Sequence, residues 1–94
     1  MATYFMFGRY SSESVKKISS RRTGQAKALI KKHGGSVEAM YALLGDPDVI
    51  LITSLPSNEK AMKASVELSM ATGISFTTAP ALEVAQFDAL VSKA

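Results

Sequence analysis

The sequence predicts an α+β fold with chain order βαββαβ: a four-stranded antiparallel sheet in spatial order 4-1-3-2 with its helices on one face. Three observations predict it. Tyr4-Phe5-Met6-Phe7 and Val49-Ile50-Leu51-Ile52 are apolar on every residue, where a strand with one wetted face would alternate apolar with polar. Glycine and proline breaks at Gly34-Gly35, Gly45-Asp46-Pro47-Asp48, Pro56 and Gly73 cut the chain into pieces of strand and helix length. Only about two helical patterns are available, enough to cover one face of a small sheet, so the far face of the two apolar strands needs a further cover, most simply a second copy of the chain.

The first strand spans Ala2 to Arg9, with Thr, Tyr and Phe supplying β-propensity. Gly8 lies at its end and suggests a bulge or a close backbone approach. Ser11 or Ser12 caps a helix with Glu13 in its first turn, and Val15 and Ile18 give that helix an apolar face. Ser19 to Gly24 interrupts the pattern before Ala26, Leu29 and Ile30 restore it, so a break is expected there, with Ser20 capping the second segment. His33-Gly34-Gly35 ends the helix.

Ser36 to Leu44 reads as the second strand, joined by Gly45-Asp46-Pro47-Asp48 to the third, Val49 to Leu55. Ser57 or Asn58 caps a helix that runs through Thr72 and stops at Gly73. Its Ala61, Met62, Ala64, Val66, Leu68, Met70 and Ala71 make an apolar surface wider than one sheet-facing stripe. Either part of that surface meets another subunit, or the helix buries only Met62, Val66 and Met70 or a neighbouring row. Ile74 to Ala79 forms the fourth strand, Pro80 suits the end of an edge strand, and Val84, Phe87, Leu90 and Val91 are spaced for a short C-terminal helix that packs. In the resulting ferredoxin-like order the two all-apolar strands are central, while Ser36, Glu38, Ser75, Thr77 and Thr78 mark the edges.

At 94 residues, 47% hydrophobic and 20% charged, residues 1–94 are read as a single ordered domain. The absence of cysteine removes disulfide and thiolate chemistry and, with no signal-peptide pattern and no long apolar run, points to a cytoplasmic protein with no membrane partner. Residues 1–35 carry eight of the eleven Lys and Arg but only Glu13 as an acid. The cluster of Lys16, Lys17, Arg21, Arg22, Lys27, Lys31 and Lys32 reads as a solvated helix face; a nucleic-acid surface is the weaker alternative, since Tyr10 is the nearest aromatic.

The opening Met-Ala-Thr-Tyr, Gly34-Gly35, the Leu44-Gly45-Asp46-Pro47-Asp48-Val49 turn, Phe76-Thr77-Thr78 and Phe87 together resemble the GYD family over almost the whole chain. The resemblance implies a ferredoxin-like fold of the dimeric α/β-barrel type, two sheets packed face to face, and it assigns no reaction. Gly45 and Asp48 match the Gly-Tyr-Asp element, but Pro47 stands in the tyrosine place, and Ala79-Pro80 replaces the basic residue that usually follows the Thr-Thr pair.

Candidate chemistry is sparse. His33 is the only histidine and reads as an exposed helix end; with no converging ligands, neither a metal nor any other cofactor is expected. Asp46 and Asp48 read as turn formers, and the serines as caps, because no Gly-x-Ser-x-Gly elbow is present. Tyr4, Tyr10, Tyr41 and Arg9 combine apolar bodies with polar tips, the mixture small-molecule pockets use. The preferred reading is a homo-oligomeric interaction or small-molecule-binding module with Tyr4, Arg9 and Tyr41 as ligand contacts. A cofactor-independent monooxygenase or haem-degrading enzyme of the dimeric α/β-barrel type is the alternative by fold analogy, against which stand the absence of Trp and a single Asn at a helix cap.

Overall fold

Ala2–Arg9 forms β1 at the centre of the sheet in the computed structural model, which describes residues 1–92. β1 pairs antiparallel with β3 (Val49–Leu55) on one side and β4 (Ser75–Ala81) on the other, and β2 (Ser36–Ala42) completes the order β2-β3-β1-β4. This is the expected 4-1-3-2 sheet. Residues opposite each other across a ladder share a face, so Tyr4↔Thr53 and Met6↔Leu51 look toward the helices, while Phe5↔Ile52 and Phe7↔Ile50 look the other way. Alternation within one wholly apolar run has therefore divided it between two surfaces.

The helices close one of those surfaces. Ser11 and Ser14 cap α1 (Ser12–Val15) reciprocally, each hydroxyl accepting the other's backbone N–H at 3.0 and 2.7 Å. The chain then breaks as expected, but the cap of α2 (Ser20–Lys32) is Ser19 and not Ser20, because Ser19 holds the extended backbone that lets its hydroxyl accept from Arg22 N–H at 3.1 Å. Ser57 caps α3 (Asn58–Thr72), which ends on Gly73 in the left-handed region at φ +73°. α3 buries Ala61, Ala64, Leu68 and Thr72, and its small alanines let it lie close to the sheet. Met62, Val66 and Met70 point to solvent instead. The core joins that row to Tyr4, Met6, Ala26, Ile30, Leu51 and Leu55; buried Thr53 donates to the Tyr4 carbonyl at 3.1 Å, so its hydroxyl costs little there.

Four details differ from the sequence reading. Gly8 is neither a bulge nor a site of backbone approach: side chains roof it, and a Cβ there would lie 2.6 Å from Val49 Cγ1 and 2.9 Å from Phe76 Cε1. The bulge sits instead between Val37 and Ala39 in β2, which ends at Ala42, leaving Leu43 and Leu44 exposed in the hairpin loop. Pro80 lies inside β4 opposite Tyr4, tolerated because β4 has no neighbour on its outer edge. The C-terminal helix forms, as α4 (Val84–Val91), but buries none of its residues, since α2 and α3 already fill the helix side of the sheet. No helix among the described residues is long and apolar enough to cross a membrane.

Candidate functional site

The strand pleat decides where the expected ligand residues go. Tyr4 points into the helix side, 3% exposed, and its hydroxyl donates to Asn58 Oδ1 at 2.5 Å in the first turn of α3. Tyr41 is on the opposite face beside Ile50, and strand alternation puts Arg9 on that face too, beyond Phe7. Tyr4 thus shares no site with Arg9 and Tyr41 within one chain. Arg9 reaches instead for the hairpin loop, where Nε and Nη2 donate to Asp46 Oδ1 and Oδ2 at 2.6 and 3.3 Å, both side chains remaining largely exposed. That contact raises the guanidinium pKa further above its ordinary value.

Asp48 is built into the fold more firmly than Asp46. Its carboxylate accepts from Tyr10 N–H at 2.8 Å, its own N–H donates to the Gly8 carbonyl at 2.9 Å, and its carbonyl accepts from Leu43 N–H at 2.8 Å. It ties the hairpin loop to the end of β1. Among the basic residues Arg22 is also occupied: Nη1 donates to the Ser14 carbonyl at 2.5 Å and its guanidinium lies 5.4 Å from the centre of the Tyr10 ring.

His33 is not the exposed helix end that the sequence suggests. It is 7% exposed, because α3 packs beside the end of α2 and brings Glu67 Oε2 to 3.1 Å from its Nε2. The two groups lie in direct contact, off the line of an ideal N–H···O hydrogen bond. The imidazole is the main cause holding the Glu67 carboxyl below its ordinary value, burial opposes it, and Lys32 at 3.4 Å adds to the lowering. Among the described residues, no group of three or more His, Cys, Asp or Glu side chains converges as a metal would need.

A cleft of about 370 Å³ opens between α3 and β4, with Tyr4 and Asn58 at one end. Thr78 donates to Ser65 Oγ at 2.8 Å across it, and Met62, Val66 and Pro80 give it apolar walls. Asn58, Ser65 and Thr78 were legible only as a cap and as ordinary polar positions. Their spacing was the available signal: Asn58, Met62 and Ser65 lie on one face of α3, and Thr78 and Pro80 share a face of β4.

The other face of the sheet carries Phe5, Phe7, Ile50 and Ile52 in one contiguous half-buried patch, the two phenyl rings 6.2 Å apart. Thr3, Ser54, Ser75 and Thr77 surround it by alternation. No helix packs over the patch. A hollow of about 550 Å³ lies between its Thr3 end and the start of α4, where Glu38 and Gln86 supply polar groups.

A family model described as GYD domain matches residues 4–91. No curated protein matches the chain. A solved structure, that of the Mycobacterium tuberculosis leucine response regulatory protein, aligns with a TM-score of 0.58 at 11% identity, over 87% of this chain and 51% of that one. The chain spans about half the length of that neighbour, and the likeness is one of fold.

Proposed function

The chain belongs to the GYD domain family, and from that premise and its uncovered apolar sheet face we propose that it is a self-associating module that pairs through that face. The carrying observation is the patch of Phe5, Phe7, Ile50 and Ile52, which sits at the sheet centre with α2 and α3 packed on the far side. Two such faces packed at the usual sheet separation of about 10 Å would remove both patches from water together. α4 supports the same reading, because Val84, Phe87, Leu90 and Val91 are 52–72% exposed and offer a second apolar surface beside the first.

In that assembly Tyr41 and Arg9 stand on the paired face and are among the polar side chains available to a small molecule held at the junction. Native mass spectrometry and light scattering on freshly purified protein test the proposal. A dimer or higher homo-oligomer at micromolar concentration is expected, with any retained small molecule released on denaturation. A monomer under those conditions would remove the basis of the reading.

A further inference from the structure

We propose that the cleft between α3 and β4 binds an uncharged small molecule that has an apolar body and a hydrogen-bond-accepting oxygen. Its volume of about 370 Å³ is sufficient for a ligand of that kind. Its lining excludes ions: no Lys, Arg, His, Asp or Glu side chain faces it, so a charged group entering would lose hydration and gain no counter-charge.

The hydrogen-bond inventory shows what such an oxygen would meet in the cleft. Tyr4 O–H is spent on Asn58 Oδ1 at 2.5 Å, and Thr78 O–H on Ser65 Oγ at 2.8 Å. Left over are the two protons of the Asn58 amide nitrogen and the hydroxyl proton of Ser65, none with an acceptor among the described residues. These three donors can engage a ketone or amide oxygen, beside hydroxyl oxygens of Tyr4, Ser65 and Thr78 that keep free lone pairs. Met62 contributes a flexible, polarisable thioether suited to an aromatic body, and Val66 and Pro80 complete the apolar walls.

The fold holds these groups in place. Asn58 and Ser65 sit seven residues apart on a helix that is capped at both ends, and Tyr4 is fixed in the core by the strand that carries it. The cleft is on the helix side of the sheet, opposite the patch proposed to pair, so it is available whether or not two chains associate.

The test titrates the full-length, ¹⁵N-labelled chain with acetophenone, and separately with toluene, which lacks the acceptor, and benzoate, which carries a charge. Acetophenone is expected to give saturable amide shifts at Tyr4, Asn58, Ser65 and Thr78, and to bind roughly five- to tenfold more tightly than either comparator, as one hydrogen bond warrants. Ser65→Ala should weaken acetophenone by a similar factor. Val66→Trp, at a position 59% exposed, should fill the mouth and abolish the shifts while leaving the melting temperature close to that of the parent. Absence of saturable shifts at millimolar acetophenone, shifts confined to the Phe5 face, toluene or benzoate binding as tightly as acetophenone, or unchanged binding by a folded Val66→Trp variant would each overturn the proposal.

Discussion

Ile52→Asp is the sharpest perturbation of the proposed pairing. Ile52 lies at the centre of the uncovered face, opposite Phe5 on β1 and Ala39 on β2. It is already half-buried, so pairing would remove about 50 Å² more of its surface, worth about 1.2 kcal/mol at roughly 25 cal/mol per Å². An unpaired polar group buried in its place costs about 2 kcal/mol more on the scale of mutational data. The aspartate stem is too short to reach water from that position, and the neighbouring Glu38 carries the same charge. A two-fold junction feels the change twice, which brings the loss to about 6 kcal/mol, or about 10⁴-fold in the dissociation constant. Within one chain the same position touches no helix, and the expected destabilisation is about 1 kcal/mol. Sedimentation velocity over a concentration series should therefore find the parent paired at micromolar concentration and the variant monomeric and folded at a hundredfold more. A variant that associates with the parent's concentration dependence would refute the reasoning.

Other consequences follow from single residues. Gly35→Ala puts a Cβ 2.2 Å from the Ser54 carbonyl, a backbone atom of the central sheet that cannot retreat without disturbing the Ser36↔Ser54 pair, so a loss of about 3 kcal/mol, or roughly 12–24 °C in melting temperature, is expected by calorimetry. Gly24→Ala, mid-helix with nothing within 4 Å, should instead raise stability by about 0.5–1 kcal/mol. Asp48→Ala strands the Tyr10 N–H and should cost about 1–2 kcal/mol in urea unfolding, against less than about 0.5 kcal/mol for Asp46→Ala, which loses only an exposed ion pair. The folded-state pKa of Glu67 is depressed, so its contribution is present above the ordinary value of 4.5 and is lost as pH falls through the lower folded value. Thermal melts across that acidic window should show the parent's advantage over Glu67→Gln disappearing, while near neutral pH the parent remains the more stable.

The topology was legible because every level of the chain pointed the same way. The Tyr4–Phe7 and Val49–Ile52 runs lack alternation, and they are the two central strands; the hairpin turn and the glycines at the helix ends then left little freedom in the connections. What sequence could not supply was relative placement across elements. His33 is buried because α3 brings Glu67 beside it, 34 residues away in the chain, and no local pattern encodes that approach. Ser20 and Ser19 are equally good caps in composition, and backbone geometry chose between them. The α3 row was ambiguous because Met62, Val66 and Met70 are more hydrophobic than the alanines; the sheet selects the alanines because only small residues allow close approach. Tyr4, Arg9 and Tyr41 share a chemical character, which says nothing about which side of a pleat each will occupy.

That last point governs the functional reading. In a strand apolar on both faces, adjacent residues do different work: Tyr4 holds Asn58 at the α3 cleft, while Phe5, one residue later, belongs to the uncovered patch. A change that shifted β1 by one residue against β3 would exchange the two sets, driving Phe5 into the helix layer and exposing Tyr4 and Met6. Gly8 guards the register at one end, because only a residue without Cβ fits beneath Val49 and Phe76. Asp48 guards it from the adjoining loop by bonding the Gly8 carbonyl and the Tyr10 N–H. Asp48, read from the sequence as a turn former, therefore acts from a distance: with Gly8 it fixes which side chains of β1 face the α3 cleft and which face the uncovered patch.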